Sequence, residues 1–464
     1  MGNDEVQKPY SREMDSTQLR NRKITVIGAA RSGVAVASLL QDEGAQVFVS
    51  DKGQTEKLKA EAQALSQAGI AWEIGQHTDR VYDCSLMVVS PGVPSNAPVV
   101  LEAQKRGIKI VSEVEVASWY CRSPIVAVTG SNGKTTTTTL IGRILGDAKK
   151  KHAVAGNIGT AFSSVVLGLA ETDIAVLEIS SFQLDHCETF RPRISIILNV
   201  TQNHMDRYGN SMERYASAKA RIFMNQVGDD VLLYNADDPW TAKIVPTARC
   251  RKITFSIQER WKEGAFVNDG WLMTTLDGRE TRVIRIDQIS IRGPHNLYNS
   301  MASALVGQLL DVGVASIRAT LKNFKGVEHR QEFVREVNGV RYFNDSKATS
   351  VDAVWYALQA FDRPIVLMLG GRDKGNDYTK IFDLVRKNVR AIVAMGESAD
   401  KVEKAFSDFK TVRRANSIDD AVLTAQSLAR PGDVVLLSPA CASFDWFENY
   451  DQRGKVFKEL VKNL

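Results

Sequence analysis

The segment Val128-Thr129-Gly130-Ser131-Asn132-Gly133-Lys134-Thr135-Thr136 carries the clearest chemistry in this chain. An apolar run enters two glycines, a Lys-Thr pair follows, and a helical pattern takes over at residues 137–145. Glycines let backbone N–H groups curl around a polyanion, and a helix start adds the positive end of its dipole. In such a loop Lys134 reaches the β- and γ-phosphates of a nucleotide, and the Thr135 hydroxyl ligates Mg²⁺. The spacing is a shorter variant of G-x-x-x-x-G-K-[ST], because Val128 stands where the first glycine would fall. ATP or GTP binding is the expectation; a glycine turn with a chance lysine is the weaker reading.

Other polar groups follow apolar runs in the same way. Glu178 closes Ala175-Val176-Leu177 and precedes Ile179-Ser180-Ser181-Phe182-Gln183. A carboxylate at the tip of a parallel strand can hold Mg²⁺, or it can be a plain solvated acid. His204 lies in Thr201-Gln202-Asn203-His204-Met205-Asp206-Arg207-Tyr208, just past another apolar run. A solitary histidine is usually structural, but three strand tips bearing Lys134, Glu178 and His204 favour a ligand site. Asn157 in Gly156-Asn157-Ile158-Gly159, and Asn296 and Asn299 three residues apart, add amides whose bland alternative is helix capping. Glu328-His329-Arg330, Asn344-Asp345-Ser346-Lys347-Ala348-Thr349 and Gly370-Gly371-Arg372-Asp373-Lys374-Gly375 gather charge that suits an anionic, amine-bearing partner, or merely water. Near the start, Gly28-Ala29-Ala30-Arg31-Ser32-Gly33 with Asp51 further on spaces its glycines like a degenerate dinucleotide fingerprint. Ala30 in place of the middle glycine crowds a pyrophosphate.

These residues need elements to hold them. Residues 24–27, 47–50 and 86–90 read as buried strands, with amphipathic helices at 34–40 and 58–68 between them. Residues 125–128, 174–178 and 194–200 repeat the rhythm after Ser123-Pro124. Such alternation means parallel, doubly wound sheets. From about 230 to 292, Thr/Val/Ile alternation with Asp269-Gly270 and Asp277-Gly278 predicts antiparallel strands elaborating the central domain. A third α/β alternation starts near 327, with strands at 365–369, 392–395 and 434–437. The expected architecture is α/β in three domains. A Rossmann-like N-terminal domain covers 1–121, its first 20 or so residues a loose tail. A central P-loop domain of mostly parallel strands plus antiparallel ones covers 122–326, and a C-terminal α/β domain covers 327–464.

Composition agrees. The 464 residues fit three domains of ~150 each, and a 44% hydrophobic content fills several cores. A formal charge of +5 over this length gives no reason to expect nucleic-acid or membrane partners. No run approaches the ~18 apolar residues of a membrane span, the start is polar rather than signal-like, and Val6 spoils the myristoylation pattern begun by Met1-Gly2. Cys84, Cys121, Cys187, Cys250 and Cys441 form no CxxC pair, so no disulfide framework or zinc site is expected. A reduced cytoplasm fits best, and a monomer is the expected form.

Ten segments occur in one order: TGSNGKTT, GNIG, EISSFQL, NVTQNHMDRYG, SAKARIF, GPHNLYN, EHR, NDSKATS, LGGRDKG and LSPACASFDWF. Through them the chain resembles the Mur ligases, the ATP-dependent ligases of bacterial peptidoglycan synthesis, over nearly its whole length. The resemblance implies an N-terminal domain for a UDP-sugar substrate, a central ATPase, and a C-terminal domain that closes over ATP and admits an amino acid. It implies that Gly130, Asn132, Gly133, Lys134, Thr135 and Thr136 hold the ATP phosphates. Glu178 and His204 resemble ligands of Mg²⁺, with two metal sites, and Asn157 lies near phosphates and substrate. Lys219 matches a lysine that the family carbamylates, and Lys134, Glu178, His204 and Lys219 make up the implied catalytic set. Asn296 and Asn299 resemble adenine-side amides; Arg330, Asp345 and Lys347 resemble contacts to ribose and phosphate. Thr349, Lys374, Ser443 and Phe444 resemble a D-glutamate pocket, while Arg31, Ser32, Asp51, Lys52, Ser90, Pro91 and Gly92 occupy UDP-binding positions. The implied reaction joins D-glutamate to UDP-N-acetylmuramoyl-L-alanine and yields ADP and phosphate. SPACASFDWF and the absence of a DNPR motif favour D-glutamate over L-alanine, a diamino acid, a dipeptide or a folate acceptor. One departure is Asn203-His204, where the family has Asp-His. A nicotinamide-dependent oxidoreductase built on the first domain and a non-catalytic nucleotide switch are the readings from other classes.

Overall fold

A computed structural model describes residues 19–464 apart from Ile158, His204 and Lys374. The expected tail lies almost wholly outside the described residues, but Leu19, counted in it, is buried in the core. The chain forms two compact units. One takes in the chain up to Ile286 together with Tyr298–Thr320; the other takes Asp287–Leu297 and Leu321–Leu464.

The first unit holds two sheets. The N-terminal one comprises β1 (Lys23–Ile27), β2 (Gln46–Asp51), β3 (Ala71–Ile74), β4 (Leu86–Val89) and β5 (Lys109–Ser112), all parallel, in the order β3-β2-β1-β4-β5. Helices α1 (Arg31–Asp42), α2 (Glu56–Gln67), α3 (Pro98–Lys105) and α4 (Glu113–Trp119) make the crossovers and the exit. The residues of β4, Leu-Met-Val-Val, are all buried, as a strand covered on both faces requires. Strand order reverses between β1 and β4, and ligands of open sheets bind at such a reversal.

The central sheet has nine strands. They are β6 (Ile125–Thr129), β7 (His152–Gly156), β8 (Ile174–Glu178), β9 (Ile194–Ile197), β10 (Val231–Asn235), β11 (Arg251–Phe255), β12 (Gly264–Asn268), β13 (Trp271–Leu276) and β14 (Arg279–Arg285). Their order is β14-β13-β12-β11-β10-β9-β6-β8-β7. The associated helices are α5 (Lys134–Asp147), α6 (Ser181–Leu184), α7 (Met212–Ala220), α8 (Pro239–Ile244), α9 (Pro294–Leu309) and α10 (Val314–Asn323). Antiparallel pairing begins later than the alternation from 230 suggests, because β10 pairs in parallel with β9 and β11, and β11 in parallel with β12. Within this sheet β12, β13 and β14 form the antiparallel hairpins. Their turns place Asp269-Gly270 and Asp277-Gly278 at positive φ, the conformation that two-residue hairpin loops demand.

The second unit carries β15 (Glu332–Val337), β16 (Val340–Asn344), β17 (Ile365–Gly370), β18 (Val389–Met395), β19 (Val412–Arg414) and β20 (Val434–Leu437), in the order β15-β16-β20-β17-β18-β19. β15 and β16 are an antiparallel hairpin and the remaining pairs are parallel. Apolar clusters pack on both faces, around Leu367 and Leu436 on one and Met368 and Val435 on the other. The helices are α11 (Val351–Leu358), α12 (Phe382–Asn388), α13 (Ala399–Ala405), α14 (Ile418–Leu428) and α15 (Tyr450–Lys462). Among the described residues no helix is long and apolar enough to cross a membrane.

Candidate active site

β6 ends at Thr129 and α5 begins at Lys134, so residues 130–133 make the turn. Gly133 caps α5 at φ +86, a left-handed conformation costly for any side chain, and a Cβ there would lie 2.4 Å from Asn299 Oδ1. Thr135 and Thr136 are buried in the first turn of the helix. Lys134 Nζ donates to Gly130 O at 2.9 Å and to Ser131 O at 3.1 Å, so its ammonium is folded back over the loop. Asn299 reaches the same helix from α9, where its Oδ1 accepts from the Thr137 hydroxyl at 3.1 Å. The Asn296 amide donates to Arg292 O at 2.8 Å, a local bond at the start of α9.

Glu178 stands at the tip of β8, beside β6, and is 2% exposed. Its Oε1 accepts from Asn157 Nδ2 at 3.0 Å, whereas its buried Oε2 has no partner. An unmet buried acceptor costs about 1–3 kcal/mol, and more when charged. A hard cation with oxygen ligands is what such a group accommodates, so the site fits Mg²⁺.

Lys219 on α7 is buried, and desolvation pulls its pKa down to about 7 while the Asp185 carboxylate draws it upward. Its Nζ lies 4.4 Å from the centre of the Tyr215 ring, one helical turn earlier. The Tyr215 hydroxyl is 3.1 Å from Ser131 Oγ, which puts this lysine next to the phosphate loop. Burial raises Asp185 itself, and it accepts from the Tyr208 hydroxyl at 2.9 Å. An amine with a substantial neutral fraction near pH 7 can add to CO₂, which a surface lysine does poorly. The expectations placed on His204 and Lys374 fall on residues outside those described.

At the N-terminal switch point, Asp51 is engaged by backbone. Its Oδ2 accepts from Ala29 N–H at 2.8 Å and its Oδ1 from Gly53 N–H at 2.7 Å. The acid that would take ribose hydroxyls in a dinucleotide fold also braces this loop. Gly33 is explained by packing, since a Cβ there would sit 1.7 Å from Gly28 O. Ser90 Oγ also donates to Gly28 O, at 3.2 Å. Arg31, Ser32, Lys52, Pro91 and Gly92 line these strand ends and are partly or fully exposed. Arg207, from the segment after β9, donates to Pro91 O and Gly92 O at 3.5 Å each, with its guanidinium 4.5 Å from the Phe182 ring centre.

In the second unit, Arg330, Asp345, Lys347, Thr349, Ser443 and Phe444 collect around the C-terminal ends of β16 and β20. Asp345 accepts from Ser438 Oγ at 2.8 Å and Gln331 N–H at 3.2 Å, and burial raises its pKa to about 7. Lys347 Nζ lies 5.4 Å from the Tyr450 ring centre, and Thr349 N–H donates to Lys347 O at 3.0 Å. Ser443 is buried, whereas Phe444 is 55% exposed. The buried Arg453 ties the two loops together, donating to Ser346 Oγ and O on one side and to Cys441 O and Ala442 O on the other. Glu328, His329 and Glu332 converge within 4.8 Å, but Lys458 Nζ already bonds both carboxylates, so their charge is compensated internally. Sequence reasoning missed Asp185, Tyr215, Asn199 and Arg453 as parts of the site; only Tyr215, four residues before Lys219 on a helix, left a signal in spacing.

Three family models match the chain: the MurD N-terminal domain at residues 23–99, the Mur ligase middle domain at 128–307, and the Mur ligase glutamate ligase domain at 329–441. A UDP-N-acetylmuramoylalanine–D-glutamate ligase from Salinibacter ruber is 47% identical over 461 residues, covering 97% of this chain and 100% of that protein. One of the same name from Chloroherpeton thalassium is 44% identical, again with 97% and 100% covered. Among solved structures, the UDP-N-acetylmuramate-alanine ligase of Thermotoga maritima superposes with a TM-score of 0.58 at 19% identity, over 96% of this chain and 100% of that one. The MurF ligase of the same organism, in complex with ADP, gives 0.59 at 17% identity over 97% of each. With all three sheets matched and the full length of its relatives covered, the chain belongs to the Mur ligase family, among the UDP-N-acetylmuramoylalanine–D-glutamate ligases.

Proposed function

We propose that this enzyme joins the amine of D-glutamate to the terminal carboxylate of UDP-N-acetylmuramoyl-L-alanine, converting ATP to ADP and phosphate. A carboxylate is a poor electrophile, because an amine would have to expel an oxide. Transfer of the γ-phosphoryl group to a carboxylate oxygen releases ADP and makes that oxygen a good leaving group. The amine then adds to the carbonyl of the acyl phosphate and loses a proton, and the tetrahedral adduct expels phosphate to leave the amide.

Bringing the carboxylate to the γ-phosphate sets anion against anion. Lys134 offsets this once its bonds to the loop carbonyls are exchanged for phosphate oxygens. Gly130, Asn132, Gly133, Thr135 and Thr136 shape the cradle. Mg²⁺, when bound, neutralises phosphate charge, and Thr135, Glu178 through Oε2, His204 and a carbamate on Lys219 would hold it in two sites. That carbamate forms when neutral Lys219 Nζ adds to CO₂ and loses a proton, exchanging a cation for an anion beside the metal. Asn296 and Asn299 serve the adenine side, and Arg330, Asp345 and Lys347 serve ribose and phosphate. Arg31, Ser32, Asp51, Lys52, Ser90, Pro91, Gly92 and Asn157 serve the UDP substrate. Thr349, Lys374, Ser443 and Phe444 serve D-glutamate, with Lys374 a point charge for a carboxylate. We place the enzyme in the cytoplasm as a monomer, with domains at 1–121, 122–326 and 327–464.

The observation that carries this reading is the meeting, at one sheet edge, of the phosphate loop, the open Glu178 oxygen and the desolvated Lys219. The choice of D-glutamate is supported by the names of the full-length relatives. The test is phosphate release with UDP-N-acetylmuramoyl-L-alanine, ATP and Mg²⁺ against a panel of L- and D-amino acids. Release with D-glutamate alone is expected; release with another amino acid, or none with any, overturns the assignment.

A further inference from the structure

The phosphate loop lacks the leading glycine of the strict pattern, since Val128 stands there, and part of its shape is held from the neighbouring strand. Past the regular β6–β9 pairing, Leu198 N–H donates to Thr129 O at 3.1 Å and Ser131 N–H donates to Asn199 O at 2.9 Å. The Asn199 side chain continues where its backbone stops. Its Oδ1 accepts from Asn132 N–H at 2.9 Å, and its Nδ2 donates to Asn132 O at 3.1 Å. Donor meets acceptor and acceptor meets donor, so the amide has one orientation and acts as an extra rung of the ladder. Next to it, Thr201 N–H donates to Ser131 Oγ at 2.9 Å and Ser131 Oγ donates to Thr201 O at 2.8 Å.

We propose that Asn199 is a positioning residue for the nucleotide phosphates, locking the Asn132 peptide so that its carbonyl is held off the anion and the cradle of N–H groups starts at Gly133. This rests on the reading of the loop as the ATP site. A peptide carbonyl turned toward a triphosphate sets two negative ends together, whereas the start of α5 offers N–H groups with no intrahelical acceptor. The Asn132 carbonyl is folded against the loop itself, 3.3 Å from where a Cβ on Gly130 would be. Asn199 Nδ2 is the donor that keeps it there.

Asn199→Asp and Asn199→Ala separate this role from packing. Aspartate keeps the size of asparagine and an acceptor for Asn132 N–H, but sets an oxygen against Asn132 O and drives that peptide round. Full-length parent and variants are compared for MgADP affinity, ATP KM, kcat, UDP-substrate affinity and melting temperature. MgADP binding is expected to weaken about tenfold in Asn199→Ala, as loss of bonds worth ~1–2 kcal/mol predicts, and further in Asn199→Asp. ATP KM should rise in the same order, with UDP-substrate affinity within about twofold of the parent. The order Asp worse than Ala should persist at high salt, where through-space repulsion of the triphosphate is screened. The proposal is overturned if Asp is milder than Ala, if MgADP affinity is unchanged, or if both ligands weaken together with the melting temperature. A parent that binds MgADP yet forms no amide sinks the proposed reaction and leaves this test standing.

Discussion

Lys134 and Asp345 show how surroundings decide what a charged side chain can do. Lys134 keeps its cation near the loop through carbonyl bonds that a phosphate can replace. Lys134→Ala should lower phosphoryl transfer by ~10²-fold or more, because it removes charge stabilisation where charge gathers. UDP-substrate binding, read by calorimetry, should remain within about twofold, since every contact assigned to that ligand except Asn157 lies at the other sheet of the unit. Near-normal turnover would refute the role. Asp345 is the opposite case, an acid whose burial lifts its pKa to about 7, partly offset by Ser438 and by Arg330. The folded state then holds a proton that the unfolded state has lost between the ordinary carboxylate range and pH 7. This group's stabilisation is full below the unfolded pKa and is lost as pH rises through about 7. Melting temperature measured from pH 5 to 8 should therefore fall less steeply in Asp345→Asn than in the parent. An equal slope in both would show that the carboxyl is ionised throughout.

At the scale of elements, the β1–α1 junction shows packing setting sequence. Gly33 is in α1 because the helix crosses close over the end of β1, and the obstacle is the Gly28 carbonyl, which cannot swing away as a side chain could. Gly33→Ala should cost about 2–4 kcal/mol in urea unfolding, or displace α1 and the loop it starts from. An unchanged midpoint would mean that helix and strand are further apart than this. Elements of this kind were legible in the sequence. Residues 24–27, 86–90 and 174–178 are apolar runs that only a strand covered on both faces explains, and they lie within or extend one residue past the observed strands. The phosphate loop was legible because its chemistry is local. The hairpin of β15 and β16 was not, although Asn338-Gly339 at its turn, both at positive φ, is a strong local signal. The parallel setting of β10 and β11 was hidden because alternation does not encode strand direction. Asn199 and Arg453 were hidden for another reason. Asn199 meets Asn132 because β9 pairs with β6, its neighbour in the sheet but not in the chain, and Arg453 on α15 meets the loops that follow β16 and β20; no spacing along the chain reveals either.

For the molecule as a whole, the question is why two sheets behave as one compact unit. The answer lies in α4, which follows the last N-terminal strand and sends two buried acids into segments attached to the central sheet. Glu115 accepts from Thr189 N–H at 2.7 Å, Thr189 Oγ1 at 2.6 Å, Phe190 N–H at 2.9 Å and Trp119 Nε1 at 3.1 Å. Glu113 accepts from Ser163 N–H and Oγ, each at 2.7 Å, and burial raises its pKa. Ser112 N–H, at the start of the same helix, donates to His186 O at 2.9 Å. Acids on the helix that leaves the N-terminal sheet, with donors on segments attached to the central sheet, couple the unfolding of the two, since parting them breaks the bonds to Thr189, Phe190 and Ser163. Calorimetry of the parent should therefore show two cooperative transitions, one for each compact unit, rather than one for each of three sheets. Glu115→Gln keeps one acceptor oxygen but sets an NH₂ against either the Phe190 N–H or the Thr189 N–H, and should cost the first unit about 1–3 kcal/mol. Its transition should move down and split, with melting of the N-terminal sheet, followed by the fluorescence of Trp72, preceding that of the central one. The transition of the second unit, which holds neither acid nor any of their partners, should stay where it was. A first-unit transition that stays single and unshifted in Glu115→Gln would mean that apolar contact alone joins the two sheets.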